Sequence, residues 1–193
     1  MKVAVDSICY FECPTPPAQA HSTFTVYLPS DGRGLFLYVD RPGNAEVSFQ
    51  LRLQDVSRQA ETWGTSLPVV RERDTFSGTL ELLNVPTDAR FRSTLRVYDF
   101  AVRFKSQVTV RFYNMDSDEL LLQLPLTLAT HEASLAPQAL LIDLPLAYPE
   151  LASAENLRIT IDPATPGMQF WAFVSVTNNA TQHVTMVLPD NPR

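Results

Sequence analysis

Apolar and polar positions alternate in short runs along most of this chain. The clearest run places Val47, Phe49, Leu51 and Leu53 against Ser48, Gln50, Arg52 and Gln54. A period of two is the mark of a half-buried strand. Phe24, Val26 and Leu28 repeat it, as do Leu35, Leu37 and Val39, with Pro29-Ser30-Asp31-Gly32 and Arg41-Pro42-Gly43-Asn44 as turns between them. The same reading predicts strands over 62–70, 75–83, 94–99, 107–114, 119–128, 136–143, 157–162, 169–177 and 182–188, with a turn at Asn84-Val85-Pro86-Thr87-Asp88. One helix is expected over 145–152. Asp143 or Leu144 would be its N-cap and Pro145 its first residue, with Leu146 and Leu151 on one side. Residues 2–11 alternate weakly through Val3, Val5, Ile8 and Phe11 and read as one strand. The segment Pro14-Thr15-Pro16-Pro17-Ala18-Gln19-Ala20 then makes a stiff, extended tether.

These strands repeat. From Leu35 to Pro68, Leu95 to Pro125 and Leu157 to Pro189, a strand ending at Asp leads through a loop to two more strands that close on Leu-Pro. The run ahead of each copy also matches: Val26-Tyr27-Leu28-Pro29, Leu83-Asn84-Val85-Pro86 and Ile142-Asp143-Leu144-Pro145. The unit is then four strands with a period of about 60 residues, read as a β-meander. Asp40 and Asp162 fall on the polar parity of their strands. Asp99 falls with Leu95 and Val97, which a one-residue bulge would explain.

An all-β fold follows, because a single helix cannot supply parallel βαβ crossovers. Two stacked immunoglobulin-like β-sandwiches with one short helix fit the lengths. Seven strands between about 92 and 189 make a sandwich of ordinary size. A single pseudo-threefold domain of β-trefoil type is the alternative. The expected division is a strand and linker over 1–21, a first sandwich over 22–90 and a second over 91–193.

Composition supports this reading. The chain has 193 residues, with 15 Pro and 6 Gly, most of them between the apolar runs. Its net charge is −6, and its basic residues form no cluster or stripe. That argues against nucleic-acid partners and against adsorption to anionic lipid. Apolar runs such as Phe170–Val176 fall far short of the roughly 20 residues a membrane helix needs, so membrane insertion is not expected. Met1-Lys2 leads into Val3-Ala4-Val5-Asp6, where Asp6 interrupts any signal-peptide core.

The segment Phe91–Pro189 resembles a β-sandwich module of uncharacterised exported bacterial proteins. There it often stands in tandem or beside extracellular protease domains. The resemblance rests on Phe91-Arg92-Ser93-Thr94-Leu95-Arg96-Val97-Tyr98, on Val108-Thr109-Val110-Arg111-Phe112-Tyr113, and on Trp171 to Thr181 as the last hairpin. It covers about half of the chain. It implies a secreted or cell-surface location and a structural or binding role, and the family has no catalytic residues to carry over.

Candidate chemistry is sparse. Cys9 and Cys13 form a C-x3-C pair whose disulfide would close a very small loop, contributing at most about 2 kcal/mol. A zinc site with His21 lacks a fourth ligand nearby. His131 and His183 stand outside any nucleophile or metalloprotease motif. Asn114, Asp116 and Asp118 have oxygen spacing compatible with Ca²⁺ but lack the glycine and distal glutamate of a calcium loop, so an Asx-rich hairpin turn is the better reading. Asp40, Asp99 and Asp162 read as strand-end turn residues. Asn179-Ala180-Thr181 is a glycosylation sequon at an expected hairpin tip. No cofactor and no enzymatic activity are expected.

The functional expectation is a structural, adhesive or assembly module acting through sheet edges. Val3, Val5, Ile8 and Phe11 would anchor an N-terminal strand donated to a neighbour, so a protein partner or self-association is expected. The alternative is a carbohydrate-binding accessory module of a secreted hydrolase. Its polysaccharide platform would use Trp63 and Tyr38, with Tyr27, Phe36 and Tyr113 as further ring candidates.

Overall fold

Strand β10 (Asn156–Pro163) shows how the sequence places the core. Leu157, Ile159 and Ile161 are fully buried, while Arg158 and Asp162 are half-exposed on the other face. Burying each such side chain contributes about 1.5–3 kcal/mol, which fixes the face that turns inward. The architecture comes from a computed structural model that describes residues 2–5, 9–12, 51–53, 65–100, 105–128 and 138–190. In chain order the strands are β1 (Lys2–Val5), β2 (Cys9–Glu12), β3 (Leu51–Leu53), β4 (Thr65–Leu67), β5 (Leu80–Pro86), β6 (Phe91–Asp99), β7 (Gln107–Asn114) and β8 (Leu120–Thr127). They continue with β9 (Gln138–Asp143), β10, β11 (Phe170–Asn178) and β12 (Val184–Val187).

Strands β5 to β12 form two four-stranded antiparallel sheets in the orders β5-β10-β7-β8 and β12-β11-β6-β9. One apolar core joins them. It takes Val108, Val110 and Phe112 from β7 and Ile159 from β10 on one side, and Val97 from β6 and Val174 from β11 on the other. The all-β class is therefore correct, and over these strands the arrangement is a two-sheet sandwich, not a trefoil. Strand β5 lies upstream of residue 91, yet it pairs with β10 and buries Leu80, Leu82 and Val85 in this core. The sandwich thus begins by Leu80, and the boundary expected between residues 90 and 91 falls between two of its strands. Its central pairs are β10 with β7 in one sheet and β11 with β6 in the other. The edge strands β5 and β8 flank the first pair, and β12 and β9 the second.

The repeat is present in this sandwich, but it is not a meander. Within each unit the second strand leaves for the opposite sheet. Strands β5, β7 and β8 share a sheet, whereas β6 lies between β9 and β11. Strands β9, β11 and β12 share the other, whereas β10 lies between β5 and β7. Exchanging β5, β6, β7 and β8 for β9, β10, β11 and β12 converts one sheet order into the other. The sandwich is therefore two half-sandwiches in twofold relation, each completed by a strand of its counterpart.

Three local readings change. Strand β5 runs to Pro86 because Asn84, at φ 58°, forms a bulge opposite Arg158 that lets Val85 and Pro86 rejoin the ladder. Strand β6 has no bulge. Its ladders to β9 and β11 are continuous through Asp99, so that carboxylate points inward and is fully buried. The helix shortens to α1 (Leu144–Ala147), followed by a 3-10 turn over Pro149–Ser153. Pro149 brings no N–H to continue the helix, and the break turns Leu146 out to 81% exposure while Leu151 stays buried. Asp143 is the N-cap residue but makes no side-chain capping bond.

Residues 2–5 and 9–12 depart from the single strand expected over 2–11. Strands β1 and β2 form a two-stranded antiparallel ribbon, with Val3 opposite Phe11 and Val5 opposite Cys9. Ile8, Cys13, Tyr38 and Trp63 lie outside the described residues, as do His21, Asp40 and His131.

Candidate functional site

The polar groups of the sandwich are largely engaged in holding strands together. On the outer face of the β5-β10-β7-β8 sheet, the Arg158 guanidinium lies 4.0 Å over the Tyr113 ring and pairs with Asp118 and with Glu81, the latter at 3.4 Å. The hydrogen bond to Asp118 is the main reason the guanidinium is held above its ordinary pKa, further out of reach of deprotonation. One step along the sheet, Arg111 pairs with Asp162 and donates from Nε to Gln123 at 2.8 Å. Asp162 also accepts from Thr79, so it binds side chains on β7 and ahead of β5 rather than capping its own backbone. Asp99 accepts from Ser106 in the interior. The two described acids of the repeat thus have different surroundings and do not form a shared acidic rim.

The turn weighed as a calcium loop is a hairpin cap. Asn114 Oδ1 accepts from the N–H of Asp116 at 2.9 Å and of Ser117 at 3.3 Å, and Asp118 adopts φ 59°. The other hairpin repeats this in every part. Asn178 Oδ1 accepts from the N–H of Ala180 at 2.9 Å and of Thr181 at 3.0 Å, and Gln182 adopts φ 58°. Backbone bonds link Asn114 with Glu119 and Asn178 with His183 in the same register. Glu119 N–H also donates to Ser117 Oγ as His183 N–H donates to Thr181 Oγ1. Both Asn residues are therefore turn-forming, and the sequon sits at a hairpin tip where Asn179 Nδ2 donates to the Ala89 carbonyl at 2.9 Å.

The outer face of the β12-β11-β6-β9 sheet is more apolar. Tyr98 stacks on Phe173 with ring centroids 6.1 Å apart, and Phe76 lies 5.5 Å from Trp171. Phe173 is only 7% exposed, while Tyr98, Phe76 and Trp171 are half-buried. Burial holds the Tyr98 hydroxyl above its ordinary pKa, against a smaller opposing effect of Arg96. The Trp171 indole N–H is buried and has no hydrogen-bond partner among the described residues.

A shallow depression at the hairpin end is lined by Phe91, Val176, Asn178, Thr181, His183 and Thr185. Beside it, Arg90 donates to Asp88 through Nε at 2.8 Å and holds that carboxyl below the ordinary carboxylate range, closing the turn between β5 and β6. Among the described residues no cluster of His, Cys, Asp and Glu is placed to hold a metal, and no helix is long and apolar enough to cross a membrane.

The edges are the remaining candidate. Strands β5, β8, β9 and β12 are the outer strands of the sandwich. At the β5 side, Phe76 bridges the start of β11 and the Asp190 N–H bonds the Glu81 carbonyl, while β4 approaches β12 through Thr65 Oγ1 and the Val184 carbonyl at 3.1 Å. At the other side, β8 and β9 present Leu120 at 47% and Leu141 at 40% exposure. The sequence had marked neither strand as a site, although the leucine run of β8 and the apolar run of β9 were legible signals. Pro125 lies within β8 and lacks a donor, which blunts part of that edge. Comparison with protein-family models, with curated proteins and with solved structures returns no match for the chain.

Proposed function

We propose that this protein is a non-enzymatic structural or assembly module, working outside the cell, that binds other protein surfaces through its sheet edges. The observation that carries the reading is the strand exchange inside the sandwich, where each sheet is closed by a strand from the other half. A chain that completes its own sheets this way has the edge chemistry to complete another's, because main-chain bonds supply affinity and alternating side chains supply fit. The exposed leucines on β8 and β9 support the same reading.

The N-terminal segment is the proposed donor, in the form of the β1–β2 ribbon carrying Val3, Val5 and Phe11. Removing residues 1–20 and measuring mass in solution tests this. The expected result is loss of the larger species. A mass distribution identical to that of the full chain removes the ribbon from the proposal.

A further inference from the structure

The twofold relation gives each place in one half a counterpart in the other, and one pair of places is filled differently. Ladder bonds fix the correspondence. Met115 N–H donates to the Asn156 carbonyl at the start of β10, as Asn179 N–H donates to the Arg90 carbonyl just ahead of β6, at 3.0 and 2.8 Å. Asn156 and Arg90 are therefore equivalent. So are the next residues, Leu157 and Phe91, which stand opposite Asn114 and Asn178. Main-chain groups alternate sides along an antiparallel strand. The carbonyls of Asn156 and Arg90 point to the hairpin strands, so those of Leu157 and Phe91 point the other way, to the sides of β5 and β9.

Beside Leu157 that side is taken by the chain itself. After the bulge at Asn84, Val85 pairs with Leu157 and Pro86 with Asn156, and Thr87 N–H donates to the Glu155 carbonyl at 3.2 Å. Val85 and Leu157 are both fully buried. Beside Phe91 the strand gives way to helix. The β9 ladder reaches only the pair Thr94–Asp143, Leu144 begins α1, and Leu146 stands 81% exposed. Phe91 is half-buried where Leu157 is fully buried. The Ala89 carbonyl, in the place of Glu155, accepts from Asn179 Nδ2 at 2.9 Å. A shallow depression of about 350 Å³ lies here, with Ala89, Phe91, Arg92, Pro145, Leu146 and Asn179 in its walls.

We propose that this depression receives an extended peptide of a partner protein, an aliphatic residue followed by proline, laid along β6 as Val85-Pro86 lies along β10. The inference deepens the assembly reading by naming a docking place and its ligand, and rests on it in taking a sheet edge as the binding surface. The counterpart dictates the ligand. Its aliphatic side chain covers Phe91 as Val85 covers Leu157, and its N–H meets the Phe91 carbonyl. Proline follows at a position where the ladder asks for no donor.

The test follows the backbone amide shifts of the full chain by NMR. The probe is the capped peptide Lys-Leu-Asn-Val-Pro-Thr, which carries the Leu83–Thr87 sequence behind a lysine for solubility. It is added to about 1 mM, enough to populate a weak site. Saturable shifts are expected at Ala89, Phe91, Arg92 and Leu146. Methylating the valine nitrogen of the probe removes the donor to Phe91 and should weaken binding roughly tenfold. Leu146→Ser, at a side chain too exposed to matter to the fold, should weaken it as well. Absence of saturable shifts at these residues, or equal binding of the methylated probe, overturns the proposal. The same shifts on concentrating the protein alone would give the place to a second copy and overturn it too. Mass in solution after removal of residues 1–20 reports on the ribbon, whereas these shifts report on this place, so the failure of one is told from the failure of the other.

Discussion

Asn114 and Asn178 hold corresponding places in the two hairpins, so replacing either by Ala should have the same consequence. Each side chain accepts two backbone N–H groups, at 2.9 and 3.3 Å for Asn114 and at 2.9 and 3.0 Å for Asn178. An exposed hydrogen bond contributes about 0.5–1.5 kcal/mol net, and water takes up part of the loss. Loss of a comparable helix-capping side chain costs about 1 kcal/mol. Each variant is thus expected to lose about 1–1.5 kcal/mol, and the double variant about the sum, since the two turns share no partner. For a sandwich of this size the single loss lowers Tm by roughly 4 °C. Urea unfolding followed by tryptophan fluorescence measures the free energies, with calorimetry giving the Tm. If one variant is neutral while the other loses more than about 1 kcal/mol, the turns are not equivalent in energy and the twofold reading of the hairpins fails.

Further outcomes follow from single contacts. Ile159→Ala, in the strand given to the opposite half and fully buried, should cost about 2–5 kcal/mol and shift one common unfolding transition for both sheets. Tyr98 is held protonated by burial, so its contribution is whole below its unfolded pKa near 10 and is lost as pH rises through the higher folded value. Tyr98→Phe should therefore flatten the fall in stability above about pH 10, as read by denaturation across pH 8 to 11. Gln182→Gly relieves a left-handed residue at φ 58° and should raise stability by on the order of 0.5 kcal/mol. An unchanged or lower urea midpoint would contradict that.

Strand positions were legible because the alternation is clean wherever a strand has one wet face. Strands over 107–114 and 157–162 were placed within a residue of β7 and β10, whose core residues alternate with polar partners across the sheet. For the two copies that make the sandwich the repeat was legible too, including the fourth strand ahead of each. What periodicity does not encode is which sheet a strand joins. Strands β6 and β7 read as neighbours, but they lie in opposite sheets, and nothing in Leu95 or Val108 announces that. The bulge at Asn84 was read as a turn because Asn and Pro mark both. Asp99 was read as surface punctuation because the burial of a carboxylate beside Ser106 depends on a residue brought back by the fold. The Asx turn at Asn114 was recognised from its own residues, whereas its twin at Asn178 has few acids to signal it. The exposed edges at β8 and β9 follow from sheet order, which the sequence pattern leaves open.

The account turns on strand exchange between halves, and cutting the chain between them tests it most directly. A protease site placed between Leu128 and Gln138 allows cleavage of the folded protein, followed by size exclusion in native buffer and again in urea. The two halves should stay together at the mass of the uncut protein and part only on unfolding, since β6 and β10 each lie within the other half's sheet. Separation in native buffer into two folded monomers would contradict the account.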